Sequence, residues 1–95
     1  MLKNSDFIVL AIDTTTFRVV GFITCIWDGI QSAFIPLLEV LPSYQRQSIG
    51  SELVRRLLAQ IEHVPAVDLT CAPDLQPFYE SLGFTRSVGM CLRRY

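Results

Sequence analysis

"PSYQRQSIGSELVRRLL", residues Pro42 to Leu58, decides the fold, because within it the pattern passes from turn residues to a helical period. Ile49, Leu53, Leu57 and Ile61 recur every four residues, with Val54 and Leu58 beside them and Glu52, Arg55, Arg56 and Gln60 on the other side. This spacing predicts an amphipathic helix from Gly50 to Glu62, closed by Pro65. Glu52 and Arg56 are spaced to pair one turn apart, and Ser48 or Ser51 offers an N-cap oxygen. Ahead of the helix, Pro42 and Ser43 turn the chain and Gln45, Arg46, Gln47 and Ser48 form a polar loop. Such a loop leaves backbone N–H groups from Arg46 to Ser51 without intrahelical partners, at the positive end of the helix dipole. A nest of this kind suits a pyrophosphate, with Gly50 allowing close approach and Arg46 adding a charge-assisted contact. A plain capped helix after a strand shows the same local pattern, so the loop alone does not specify a ligand.

Upstream, residues 6–12 and 18–27 are rich in Ile, Val, Phe and Thr and read as antiparallel strands joined by the polar segment Asp13 to Phe17. Asp28-Gly29 marks a turn, and "QSAFIPLLEVL", residues 31–41, supplies a third strand in which Pro36 requires a bulge or a position without a ladder partner. Downstream, "AVDLTC", residues 66–71, reads as a short covered strand. "LQPFYESLGF", residues 75–84, reads as a short helix with Asp74 as N-cap and Gly83 at the left-handed C-terminal position. Phe84 to Tyr95 returns to strand character. The predicted class is α/β (α+β): a mixed, mostly antiparallel sheet in the order β-β-β-α-β-α-β. A helical crossover makes residues 32–41 and 66–71 parallel neighbours.

At 95 residues, 51% hydrophobic and 18% charged, the chain is read as one domain over residues 1–95 and not as a disordered tail. A net charge of −1 lacks the basic surplus that drives nucleic-acid binding. Cys25, Cys71 and Cys91 are odd in number and set in apolar runs, so each is expected as a buried thiol. With His63 the lone histidine, no metal centre is expected. The apolar runs "FIVLAI" and "VVGFITCIW" are too short to span a membrane, and the N-terminal residues lack a signal-peptide cleavage region. A reducing cytoplasm is the expected compartment.

Two motifs in order, Val40 to Leu53 and then "FYESLGF" at Phe78 to Phe84, resemble the GNAT superfamily of N-acetyltransferases. The resemblance covers about residues 18 to 95. Its acetyl-CoA loop has the pattern Q/R-x-x-G-x-G/A. Gln45, Ser48 and Gly50 fall on the specified positions, with serine replacing the first glycine. The resemblance implies that acetyl-CoA (coenzyme A) is the cofactor, its diphosphate held by Gln45, Arg46, Gln47, Ser48, Ile49, Gly50 and Ser51. It further implies that the strand before the loop splays from its parallel neighbour, so that pantetheine lies along Glu39, Val40 and Leu41. The implied activity is direct acetyl transfer to the primary amine of a small molecule or protein. The alternative is an inactive acyl-CoA-binding or interaction module on the same scaffold.

An amine of pKa about 10.4 is neutral in roughly one molecule of 2500 at pH 7, a cost of about 4.6 kcal/mol that a base or a desolvating site must offset. Glu39 is the only carboxylate on the strand entering the loop and is the candidate base, directly or through a water. A departing thiolate needs a proton, and Tyr79, at the family's tyrosine position, is the candidate acid. The N–H of Val40 or Leu41 is the candidate donor to the thioester carbonyl. Ala72 stands where many members carry an asparagine for pantetheine. The sequence also opens on what would be the family's second strand. The amine-binding wall is therefore expected to be absent or supplied by another subunit, as a homodimer would do.

Overall fold

The computed structural model describes residues 6–94. Among them the order is β1 (Phe7–Asp13), β2 (Arg18–Trp27), β3 (Ser32–Phe34), β4 (Leu38–Val40), α1 (Ile49–Gln60), β5 (Ala66–Asp68) and α2 (Gln76–Glu80). Short 3₁₀ turns at Pro42–Tyr44 and Pro73–Leu75 precede the two helices. β1 and β2 pair antiparallel from Phe7 opposite Cys25 to Asp13 opposite Arg18, with a bulge after Ala11. Aspartates close the turns on either side of β2, because their short side chains reach backbone a few residues ahead. Asp13 Oδ1 accepts the Thr15 N–H at 2.9 Å, and Asp28 Oδ1 accepts from Ile30, Gln31 and Ser32 at 2.8, 3.0 and 3.2 Å.

Pro36 splits the third strand in two. A proline has no N–H for the ladder, so pairing stops at it and changes partner beyond it. β3 pairs antiparallel with the end of β2 and parallel with β5, Phe34 lying opposite Asp68. β4 pairs antiparallel with the middle of β2 alone, Gly21 opposite Val40 and Ile23 opposite Leu38. The architecture is thus α+β, a mixed and mostly antiparallel sheet with one parallel pair and two helices.

Helix α1 lies on one face of the sheet because its apolar stripe meets Ile23 and Cys25 of β2, Ala33 of β3 and Ile35. Val54, Leu57 and Ile23 are completely buried there, each such side chain worth about 2 kcal/mol of apolar burial. On β1, Phe7, Val9 and Ala11 pack toward this core, while Ile8, Leu10 and Ile12 alternate to the other face and are exposed. At Gly21, β2, β4 and α1 crowd together: an added Cβ would stand 3.0 Å from the Glu39 carbonyl and 3.4 Å from Leu53 Cδ1. Gly21→Ala is expected to lower stability by about 1–2 kcal/mol through overpacking. Gly50→Ala, whose Cβ would meet the Phe78 ring at 3.6 Å, is expected to stay near wild type, and a urea titration of the two variants checks both.

Several local expectations are corrected. α1 begins at Ile49 and ends at Gln60, and neither Ser48 nor Ser51 caps it, since no side-chain cap bond is made. Asp74 lies inside the 3₁₀ turn and Leu75 takes the N-cap position of α2. Gly83 does adopt the left-handed conformation, φ 100°. β5 ends at Asp68, so residues 69–71 are not strand. Residues 84–94 also carry no strand, having no ladder partner among the described residues, and Tyr95 lies outside them. Val88 and Met90 are consequently almost fully exposed. For the same reason Cys91 is exposed and Cys71 half-buried, and only Cys25 is the buried thiol expected of all three.

Candidate functional site

The break at Pro36 opens the sheet. The last rung between the third strand and β5 is the Ile35 N–H donating to the Asp68 carbonyl at 3.0 Å; beyond it, among the described residues, no backbone hydrogen bond joins β4 to residues 69–71, and this unpaired stretch is the opening. Hydrogen bonds alternate along β4: Leu41 N–H donates to Val20 and Thr24 N–H to Leu37, at 2.8 and 3.0 Å. Gly21 and Val40 form the non-hydrogen-bonded pair between them, so the Val40 N–H points away from β2 into the opening. Of the two amides considered as donors, Leu41 is therefore engaged inside the sheet and Val40 is the outward one.

The loop that follows is built from backbone. Tyr44 N–H donates to Leu41 and Gln45 N–H to Pro42, at 2.8 and 3.3 Å, and the first amide of α1 to find a carbonyl is Glu52, bonded to Ser48 at 3.1 Å. Among the described residues, the amides of Arg46, Gln47, Ser48, Ile49, Gly50 and Ser51 donate to no protein acceptor. They stand at the N-terminus of a 12-residue helix, where the dipole favours an anion. Arg46 and Ser48 are left-handed, φ 65° and 64°. Ser48 thus occupies a backbone state that glycine adopts freely. The Gln45 side chain, though exposed, folds back on the preceding strand, its Nε2 donating to the Val40 carbonyl at 3.0 Å and tying the loop to β4. Glu52, the acid of the first turn, is held by Arg56 at 2.8 Å, which lowers its pKa.

Glu39 and Tyr79 come from different walls. Leu38 and Val40 pack toward the core, and Glu39 between them is exposed on the face away from α1. Tyr79 is half-buried on α2, wedged between the rings of Phe78 and Phe84 at 4.9 and 5.7 Å. It lines a cleft of about 360 Å³ with Leu69, Thr70, Cys71 and Arg86. Burial and the neighbouring Cys71 push its pKa up, so the phenol keeps its proton at neutral pH. Glu39 does not line that cleft. His63, at the end of α1, packs edge-on against Trp27 at 5.2 Å.

A contact that the sequence does not signal joins the loop to the first hairpin. Tyr44 O–H donates to Asp13 Oδ2 at 2.6 Å across 31 residues. With Thr15, this bond holds the Asp13 carboxyl well below its ordinary value, at about 2. A carboxylate so depressed contributes stability above about pH 4 that is lost as pH falls toward the folded value. The difference in melting temperature between wild type and Asp13→Asn is therefore expected to shrink between pH 4 and pH 2.

Among the described residues there is no group of three side chains that would hold a metal ion, and no helix long and apolar enough to cross a membrane. The family model for the acetyltransferase (GNAT) domain matches residues 3–86. A crystal structure from Deinococcus radiodurans assigned as an acetyltransferase is 42% identical, with TM-score 0.90 over 97% of this chain and 64% of its own. The GNAT-family acetyltransferase SP0256 of Streptococcus pneumoniae is 37% identical, with TM-score 0.86 over 98% of this chain and 74% of its own. The uncharacterized N-acetyltransferase ycf52 of Pyropia yezoensis is 28% identical over 90% of this chain, which spans 51% of that protein. With a split parallel pair, an open amide nest at a helix start and these relatives, the chain belongs to the GNAT acetyltransferase family.

Proposed function

We propose that the chain binds acetyl-CoA and transfers its acetyl group directly to a primary amine. The observation that carries this is the run of unpartnered amides from Arg46 to Ser51 beside the opening between β4 and residues 69–71. The donor set fits the ligand: backbone N–H groups and the Arg46 guanidinium at a helix N-terminus for a diphosphate, and an outward strand amide for an extended amide chain. When bound, acetyl-CoA supplies an activated acetyl thioester. Val40 N–H offers a fixed dipole in the opening. Tyr79 holds a proton at the cleft wall, where its raised pKa keeps it a donor. Glu39, exposed at the strand edge, takes up the amine's proton through a water. Gln45 and the Leu41 N–H hold the loop and strand in place.

Acetyl-CoA at about 100 times its Kd is expected to raise stability by about 2.7 kcal/mol, read as a thermal shift. No shift at millimolar acetyl-CoA would overturn the proposal. A shift without CoA release across a panel of primary amines would leave an acyl-CoA-binding module in its place.

A further inference from the structure

We propose that Tyr44 and Asp13 are positioning residues, whose hydrogen bond holds the loop at residues 42–48 in the form that presents the Arg46 to Ser51 amides. Cofactor affinity then depends on a contact made between that loop and the β1–β2 turn. The proposal rests on the acetyl-CoA reading of the site. Among the described residues, the other hydrogen bonds of residues 42–48 are local, reaching only Leu41, Val40, Pro42 and Glu52. Tyr44 O–H to Asp13 Oδ2 is the one that fastens the loop to an element distant in the sequence, across 31 residues at 2.6 Å. A hydroxyl donating to a carboxylate at this length is charge-assisted and among the stronger hydrogen bonds available.

The loop needs such a fastening. Two of its residues with side chains, Arg46 and Ser48, are left-handed, and positions of this kind persist only where the surroundings over-determine them. The anchor at the far end is itself rigid, since Asp13 Oδ1 also accepts the N–H and Oγ1 of Thr15, at 2.9 and 2.6 Å. Asp13, Tyr44 and Gln47 meet along one cleft of about 540 Å³ with Ile49 and Glu52 of α1, so the bond sits beside the nest it would support. A loop released from it populates other conformers, and apparent affinity falls by the fraction lost.

The test uses the full chain. Tyr44→Phe removes only the hydroxyl. Amide order parameters of residues 45–48 are expected to fall from rigid values near 0.85 to below about 0.6 in the ligand-free variant. Kd for acetyl-CoA is expected to rise about 5- to 20-fold, with kcat at saturating acetyl-CoA nearly unchanged. Asp13→Asn, which keeps an acceptor oxygen, is expected to lose only about 2- to 3-fold. The double variant Tyr44→Phe/Asp13→Ala is expected to bind no more weakly than Asp13→Ala alone, because both changes break one bond. Unchanged loop order in Tyr44→Phe, an unchanged Kd beside a lowered melting temperature, or additive losses would each overturn the proposal. Should wild type itself fail to bind acetyl-CoA, the proposed function falls, while the order parameters still decide for or against the brace.

Discussion

Ser48→Asp is expected to weaken acetyl-CoA binding at least about 100-fold while leaving the fold as stable as wild type or slightly more so. The two effects have opposite signs for one reason. Ser48 occupies the N-cap position of α1 with no side-chain cap bond, and the amides around it have no protein acceptor. A carboxylate at that position faces the positive end of the dipole, a gain of about 0.3–1 kcal/mol. Aspartate also tolerates the left-handed backbone that Ser48 adopts. The same charge sits where a diphosphate would lie. Two like charges about 4 Å apart near a protein surface repel by up to about 4 kcal/mol, more than the roughly 2.7 kcal/mol that a 100-fold loss represents. Calorimetry with acetyl-CoA and a urea titration of the same variant check both halves. Binding within a few-fold of wild type would mean that the anion is held elsewhere. Ser48→Gly makes the complementary change, removing the left-handed cost, and is expected to bind at least as well as wild type.

Tyr79→Phe is expected to reduce kcat about 100-fold, at the lower end of what a general acid contributes, with Kd for acetyl-CoA within about two-fold. Phenylalanine keeps the ring contacts with Phe78 and Phe84 that seat this side chain, so the loss isolates the hydroxyl. A thiol of pKa about 8.5 leaves moderately well unaided, which is why the upper end of the acid–base range is not expected. Because burial raises the Tyr79 pKa above its ordinary value, the acid is protonated across the neutral range. Any alkaline limb in kcat that depends on it should lie above the ordinary tyrosine range. Steady-state rates of CoA release from the two proteins, with one amine, decide the matter. Equal kcat values would remove Tyr79 from the chemistry and leave the cofactor site untouched.

Much of this was legible in the residues. The four-residue period from Ile49 to Ile61 specified α1 and its buried face, since an apolar stripe at that spacing has only one way to be covered. Pro36 announced an interruption, and Asp28-Gly29 a turn, because their backbone chemistry is local. The open amides from Ser48 to Ser51 followed from helix geometry itself, since the first N–H groups of any helix lack an intrahelical acceptor, whereas those of Arg46 and Gln47 belong to the loop and are left open by its fold. The strand expected from Phe84 onward does not form over residues 84–94, because strand-like composition describes how a segment would sit in a sheet and a ladder needs a neighbour as well.

What tertiary structure alone decided is which groups are engaged and which remain open. Val40 and Leu41 are adjacent and chemically alike, and only the register with β2 turns one amide into the opening and the other into a ladder bond. Gln45 matches a ligand-binding pattern, yet its amide closes on Val40. Asp13 and Tyr44 carry no shared motif and meet because the first hairpin folds back beside the loop. Local sequence determines the conformations a segment prefers within a few residues. Long-range pairing determines where each donor and acceptor is consumed, and a site consists of those left over.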